Sequence, residues 1–402
     1  MNYYIIPKNK INPKFCLIQK ETQNTQPYIS NSVFSNLNAI FFQTEKVCDS
    51  DNCIENESDN IHKIINPLEF VHNIVPGTQL SVSKVKSKSN ILFELMEIFQ
   101  LFNIMENLSD GLPINIANFS YNTDSIENLI NILRDEHSDI ILNKQFNYDN
   151  LVNEYINNEN QNQQYNLLLF EYEEGYNNNV KKYILNMILT LYLILQIQHN
   201  DGICIIKIDN IIHRPIIEII YILSCLYNKV YLIKPNICNV TCGSRYLICK
   251  QYIYNKEIND SIKENLKMHI INNIIKDYEI ESIIKNLIPC WFLNKIEELN
   301  AINCQQQLEY LDQTINVLRN KNKQEKIEIL KRSHIQKCIQ WCEKNQLPHN
   351  KFIDKTNIFL NIKKKEKKEQ EERLQEQLDL EQEQLDLEQT ERQEEHIYSI
   401  MA

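Results

Sequence analysis

Glycine is almost missing from this chain of 402 residues, which holds five: Gly77, Gly111, Gly175, Gly202 and Gly243. Nucleotide-binding loops use glycine to bring backbone against a ligand. So sparse a supply excludes a G-x-G-x-x-G fingerprint, and no Walker-type phosphate loop is present. Paired cysteine spacing is also missing. Twelve cysteines are scattered, the closest being Cys238-x3-Cys242, Cys338-x3-Cys342 and Cys48-x4-Cys53. None has zinc-ribbon spacing, and no histidine cluster completes a metal site. Reduced thiols of a cytosolic chain are expected rather than a disulfide framework.

Long apolar runs are missing too. Residues 1–20 hold no apolar core of signal-peptide length. The run from Ile184 to Ile197 is short for a bilayer and contains Asn186, Thr190 and Gln196. Lys207, Asp209, His213 and Arg214 interrupt the next, from Ile203 to Tyr227. Both are expected to be core elements of a soluble chain, with no membrane partner. The net charge of −11 is uneven: residues 369–395 carry twelve acids and two arginines, after a basic block at Lys363–Lys368. The rest is nearly neutral, so the acidity belongs to a tail and does not oppose RNA binding by the body.

Hydrophobic residues make up 43% of the chain, enough for a sizeable core. Residues 1–60 are mixed and turn-rich and are expected to form a partly ordered N-terminal extension. Ile91–Asn103 has apolar residues at helical spacing after Ser89 and Asn90, and a second helix is predicted for Ser125–Arg134. Tyr155–Gln164 is rich in Asn and Gln and reads as a loop. Strand and helix signals then alternate. NLLLFE at 166–171 is a strand, Val180–Gln198 a helix, and GICIIKI at 202–208 a strand with one charge. Pro215–Tyr227 is a helix with proline in its first turn, and KVYLI at 229–233 and SRYLICK at 244–250 are strands. Such alternation predicts a sheet with helices on its faces. From Lys256 to Leu347 the chain reads as helical, anchored by Trp291 and Trp341, with Pro348 as a stop. Residues 361–402 form a charged low-complexity tail in which EQLDLEQ occurs twice, at 376–382 and 383–389. This is at most a short coiled coil and otherwise a solvated charged segment or a docking element for a protein partner.

The block GICIIKI, helix, KVYLIKP, SRYLICK resembles the last part of the FtsJ-like ribose 2′-O-methyltransferases, most like versions from large nucleocytoplasmic DNA viruses of the mimivirus and asfarvirus type. Lys207, Lys234-Pro235 and Tyr246 match that family's elements in order and approximate spacing, and NLLLFE resembles the strand before its catalytic acid. The resemblance covers roughly residues 84–252. It implies an α/β fold, a Rossmann-like S-adenosylmethionine-dependent methyltransferase sheet, over residues 61–255, with a helical C-terminal region at 256–360. It also implies S-adenosylmethionine as cofactor and RNA, as capped mRNA, as substrate. For a viral protein the location implied is the host cytoplasm, the viral factory or the virion.

The family's chemistry deprotonates a ribose hydroxyl as methyl is transferred, using a Lys-Asp-Lys-Glu tetrad whose second lysine is central. By resemblance those positions fall on Glu94, Glu171, Lys207 and Ser244, and only Lys207 matches. A carboxylate at position 94 favours protonated Lys207 and makes it a worse base. The longer Glu171 shifts its carboxylate by about an ångström, enough to slow a positioned reaction. The family's Pro-Gly-Gly-Phe cofactor turn aligns with Pro113-Ile114-Asn115-Ile116, leaving Asp110, Gly111 and Pro113 as cofactor-binding positions without the paired glycines. Two functional readings follow: an RNA methyltransferase, and a non-catalytic RNA-binding or partner-binding protein on the same scaffold. A structural or packaging role is a third.

Overall fold

The computed structural model describes residues 3–350 apart from 10–14, 21–26, 51–64, 109–111, 122, 135–137, 158–162, 173–178, 276–278 and 321–322. The charged tail with its tandem heptads therefore lies outside the described residues, as do Asp110 and Gly111.

In chain order the elements are β1 (Tyr3–Ile6), β2 (Phe15–Lys20), α1 (Asn31–Ser50), α2 (Ile91–Phe102), α3 (Ile104–Leu108), β3 (Asn115–Phe119), α4 (Thr123–Arg134), β4 (Ile140–Lys144), α5 (Tyr148–Val152) and β5 (Tyr165–Phe170). They continue with α6 (Val180–Ile197), β6 (Gln198–Ile208), α7 (Arg214–Leu226), β7 (Tyr227–Ile233), β8 (Arg245–Tyr252), α8 (Lys256–Ile275), β9 (Glu279–Ile284), α9 (Cys290–Leu318) and α10 (Lys323–Lys344). Seven strands form one sheet in the order β1-β7-β8-β6-β5-β3-β4. β4, β3, β5 and β6 run parallel, and β8, β7 and β1 continue the sheet in antiparallel fashion. The α/β architecture expected from the alternating pattern is present, with a largely helical C-terminal region.

Period-two alternation decides which side chain faces which layer. Phe170, Cys204, Ile206, Leu247 and Cys249 join α6 and α7 in one core. Leu167, Leu169, Ile203, Ile205, Ile248 and Tyr246 join α2, α4 and α10 in the other. Helices therefore cover both faces, which explains why β5 and β6 read as near-continuous apolar runs. α6 starts at Asn179, whose side chain accepts from the Lys182 amide at 3.0 Å. It has the length and mean hydropathy of a membrane span, yet 72% of it is buried inside the fold. Gly202 sits where β6 presses on its neighbours. A Cβ there would come within 2.9 Å of the Asn166 carbonyl oxygen and 2.8 Å of that of His199, so only glycine fits.

Several expectations change. The N-terminal residues are not merely an extension: β1 forms the sheet edge against β7, and α1 buries Phe34 and Leu37 in a small core shared with α9. The region after 256 contains β9, which pairs with β2 in a separate two-stranded sheet. Glu218 ties this small sheet to α7. Its carboxylate accepts from the Ser282 hydroxyl at 2.7 Å and from the Ile283 and Ile284 amides, and pairs with Arg214 at 2.8 Å. Trp341 is buried against Phe93 as an anchor should be, but Trp291 is 48% exposed. β3 and β4 escaped the sequence reading because NIANF and IILNK carry Asn in the strand. Asn118, buried in β3, donates to the Asn143 side chain of β4 at 3.0 Å.

Candidate active site

The parity that sorts the two cores also assembles the site. Lys207 falls on the same face as Ile203 and Ile205, Glu171 on that of Leu167 and Leu169, and Tyr246 pairs directly with Lys207 across β6 and β8. The helix covering this face is α2. Its buried Glu94 therefore points at the strand ends where the other three meet.

Lys207 Nζ lies 3.0 Å from Glu94 Oε2 and 3.3 Å from Glu171 Oε1. The Tyr246 hydroxyl donates to the same Glu94 oxygen, and its ring centroid is 5.7 Å from Lys207 Nζ. The Glu171 amide donates to the Phe119 carbonyl at 3.0 Å, which fixes the backbone at the end of β5. Burial disfavours every charge here, but for Lys207 the two carboxylates outweigh it and hold the ammonium well above the usual lysine range. For Glu94 burial pushes upward, yet Lys207, Tyr246 and Cys238 together leave the carboxyl below its usual value. Glu171 differs. Burial and the neighbouring Glu94 charge outweigh Lys207, and its carboxyl sits above its usual value despite the ion pair. The charge on Lys207 is thus matched chiefly by Glu94.

Three of the four positions implied by resemblance come together, and Ser244 does not join them. It lies one residue before β8, and its hydroxyl donates to Asp209 Oδ1 at 2.8 Å. Tyr246 takes the place beside the cluster. Its match to the family's order was read from the sequence, but its hydroxyl contact with Glu94 was not. Cys238 was also missed, because it reaches Glu94 only through the turn after Lys234-Pro235.

The cofactor turn is placed differently as well. Pro113 precedes β3 and so lies at the N-terminal end of the parallel strands, opposite Lys207. The segment that follows β3 is Ser120-Tyr121-Asn122, with no glycine. Beside it, Asn118, Ser120, Glu171 and Tyr246 line a crevice of about 10 Å³. Asn118 Oδ1, Ser120 Oγ and Glu171 Oε2 have no hydrogen-bond partner among the described residues. Such a space suits a single water and not an adenosyl group. The described residues around this crevice do not fit S-adenosylmethionine.

A much larger cavity, about 540 Å³, opens past the end of β7 and is walled by the Lys234–Val240 turn and by α9.

No family model matches the sequence, and no curated protein matches it. Among solved structures the chain is similar to a ribosomal RNA methyltransferase from Plasmodium falciparum, with 17% identity and a TM-score of 0.32, covering 42% of this chain and 100% of that one. It is also similar to phosphoethanolamine N-methyltransferase 2 of Haemonchus contortus in complex with phosphomonomethylethanolamine and S-adenosylhomocysteine. There the identity is 11% and the TM-score 0.24, covering 43% of this chain and 40% of that one. These neighbours are methyltransferases, but with such scores they leave the function of this chain to be argued from its own residues.

Proposed function

We propose that the chain is a non-catalytic, RNA-binding relative of the FtsJ-like ribose methyltransferases, built on their sheet with the transfer chemistry lost. The observation that carries this reading is the 3.0 Å pair between Glu94 and Lys207. A lysine that assists loss of a ribose proton needs a depressed or tunable pKa. Here a second carboxylate stands where the family has a cation, and it holds Lys207 protonated. The ammonium is already occupied on two sides. The narrow crevice beside the end of β3 supports the same reading, because the described residues there leave room for about one water and not for a methyl donor.

A retained methyltransferase is the second reading. Lys207 and Glu171 still meet at the ends of adjacent parallel strands, in the family's order. In that case Lys207 would orient the ribose hydroxyl and Glu171 would steady the ammonium, with Glu94 displaced when RNA binds.

Titration calorimetry with S-adenosylmethionine, run beside an RNA filter-retention series in rising salt, separates the two. The proposed reading expects no saturable cofactor binding up to millimolar concentration and RNA retention that weakens steeply with salt. Micromolar cofactor affinity sinks it, and so does an absence of RNA retention at low salt.

A further inference from the structure

The cavity past β7 has an electrostatic imbalance that its own residues do not resolve. Lys234 and Arg245 both line it. Arg245 is only 3% exposed. Its guanidinium donates to the Asn300 side chain at 3.0 Å and to the Leu299 carbonyl, and its Nε has no partner among the described residues. Among the described residues Lys234 donates to the carbonyl oxygens of Val240 and Cys242. Neither cation has a carboxylate at ion-pair distance among the described residues. The acids nearby are engaged otherwise: Asp209 accepts from Ser244, Glu94 pairs with Lys207, and Glu309, exposed on the wall of the same cavity, accepts from the Gln305 side chain. Arg245 also raises the cost of charging Lys234. Burial and the Arg245 charge push the Lys234 ammonium below its usual value, and burial pushes Arg245 down to about 10.

A buried, uncompensated guanidinium is expensive, and a half-buried ammonium beside it adds to the cost. The same cavity holds a second unmet demand. Asn303, one helical turn beyond Asn300 on α9, is 5% exposed, and neither its amide nitrogen nor its oxygen has a partner among the described residues. The half-buried rings of Tyr4 and Tyr310 complete the wall, and Lys337 stands exposed at its rim.

We propose that this cavity binds a nucleotide, its phosphate set between Lys234 and Arg245 and its base edge read by Asn303. Two cations match a phosphate dianion. An orphaned carboxamide offers the donor and acceptor pair that reads a base edge, and tyrosine rings supply stacking surfaces. The volume is right for a ligand of this size and much too large for a bare oxyanion. The phosphate is that of a free mononucleotide or of an RNA 5′ end, since the chemistry is shared. The site adjoins the Lys207 cluster through Cys238 but does not depend on the loss of methyl transfer there.

The test is titration calorimetry of the full chain with AMP, GMP, inorganic phosphate, adenosine and a 5′-phosphorylated trinucleotide, repeated on Lys234→Met and Asn303→Asp. Saturable binding of at least one 5′-phosphorylated compound is expected, with adenosine and inorganic phosphate each weaker by on the order of tenfold or more. Tighter binding of the trinucleotide assigns the source as RNA ends, and tighter binding of AMP or GMP as free nucleotide. Lys234→Met should weaken the binding by about tenfold or more. Asn303→Asp puts a negative charge in the same cavity as the phosphate and removes the amide donor that reads the base. It should abolish the binding while leaving the melting temperature unchanged or raised, an outcome that a merely damaged fold does not give. The proposal is overturned by no saturable binding at millimolar concentration, by inorganic phosphate binding as tightly as the nucleotides, or by undiminished binding in both variants. Nucleotide binding without retention of longer RNA would sink the RNA-binding function and leave this site standing.

Discussion

Replacing Glu94 by Gln removes the charge that holds Lys207 protonated while keeping the shape of the side chain. Truncating one partner of a fully buried ion pair costs about 3–5 kcal/mol, because the remaining charge is stranded. Two features reduce that figure here. The Lys207 side chain is 22% exposed, so solvent reaches it, and Glu171 still lies 3.3 Å away. The introduced carboxamide can also keep accepting the hydrogen bond from Tyr246. The expected loss is therefore about 2 kcal/mol at neutral pH, roughly a thirtyfold change in the folded-to-unfolded ratio. The pH dependence supplies the sharper check. The Glu94 carboxyl lies below its ordinary value of 4.5 in the folded protein. Its stabilisation is present above 4.5 and disappears as the pH falls through the folded value. Urea denaturation of wild type and Glu94→Gln should thus show a constant gap between about pH 7 and pH 5 that closes below 4.5. A gap under about 0.5 kcal/mol at pH 7, within the range of an ordinary surface change, would refute the reasoning. A gap that widens on acidification would do the same.

Glu171→Gln should behave differently, costing less than about 1 kcal/mol or stabilising the fold, because burial outweighs Lys207 at that carboxyl; the same urea series at pH 7 ranks the two variants. Lys207→Met strands two buried carboxylates, whose folded pKa values must then rise, so this variant should gain stability relative to wild type as the pH falls from about 7 to 5. Adding Glu94→Gln to Lys207→Met should recover at least about 1 kcal/mol at pH 7, and a double-mutant cycle without coupling would show the pair to be independent. Glu218→Gln should lose about 3 kcal/mol or more by thermal or urea denaturation, since its buried charge serves Arg214, Ser282 and two amides at once.

Much of the sheet was legible because buried parallel strands are written as apolar runs. NLLLFE, GICIIKI, KVYLI and SRYLICK all became strands close to the expected limits. β3 was not legible. Its two asparagines look like loop residues until Asn143 is placed beside Asn118, and that pairing is a tertiary fact. Missing β3 displaced the cofactor turn to Pro113, at the wrong end of the sheet. β9 was lost in a similar way, because its partner β2 is far away in sequence. Within the site, Glu94, Glu171 and Lys207 were read together and do converge. Ser244 stands apart from them because the register puts Tyr246 opposite Lys207. From sequence alone the cations of the large cavity, Lys234 and Arg245, are open between RNA-phosphate contacts and surface charges. Their burial depends on α9 folding back over the end of β7, which no local pattern announces.

Transfer of labelled methyl from S-adenosylmethionine to capped RNA, measured for wild type beside Lys207→Ala, tests the silencing of the Lys207 centre most directly. No incorporation above background is expected for either protein, with capped RNA retained by the wild type in a salt-sensitive manner. Incorporation by wild type that Lys207→Ala abolishes would contradict it and return the chain to the working methyltransferases.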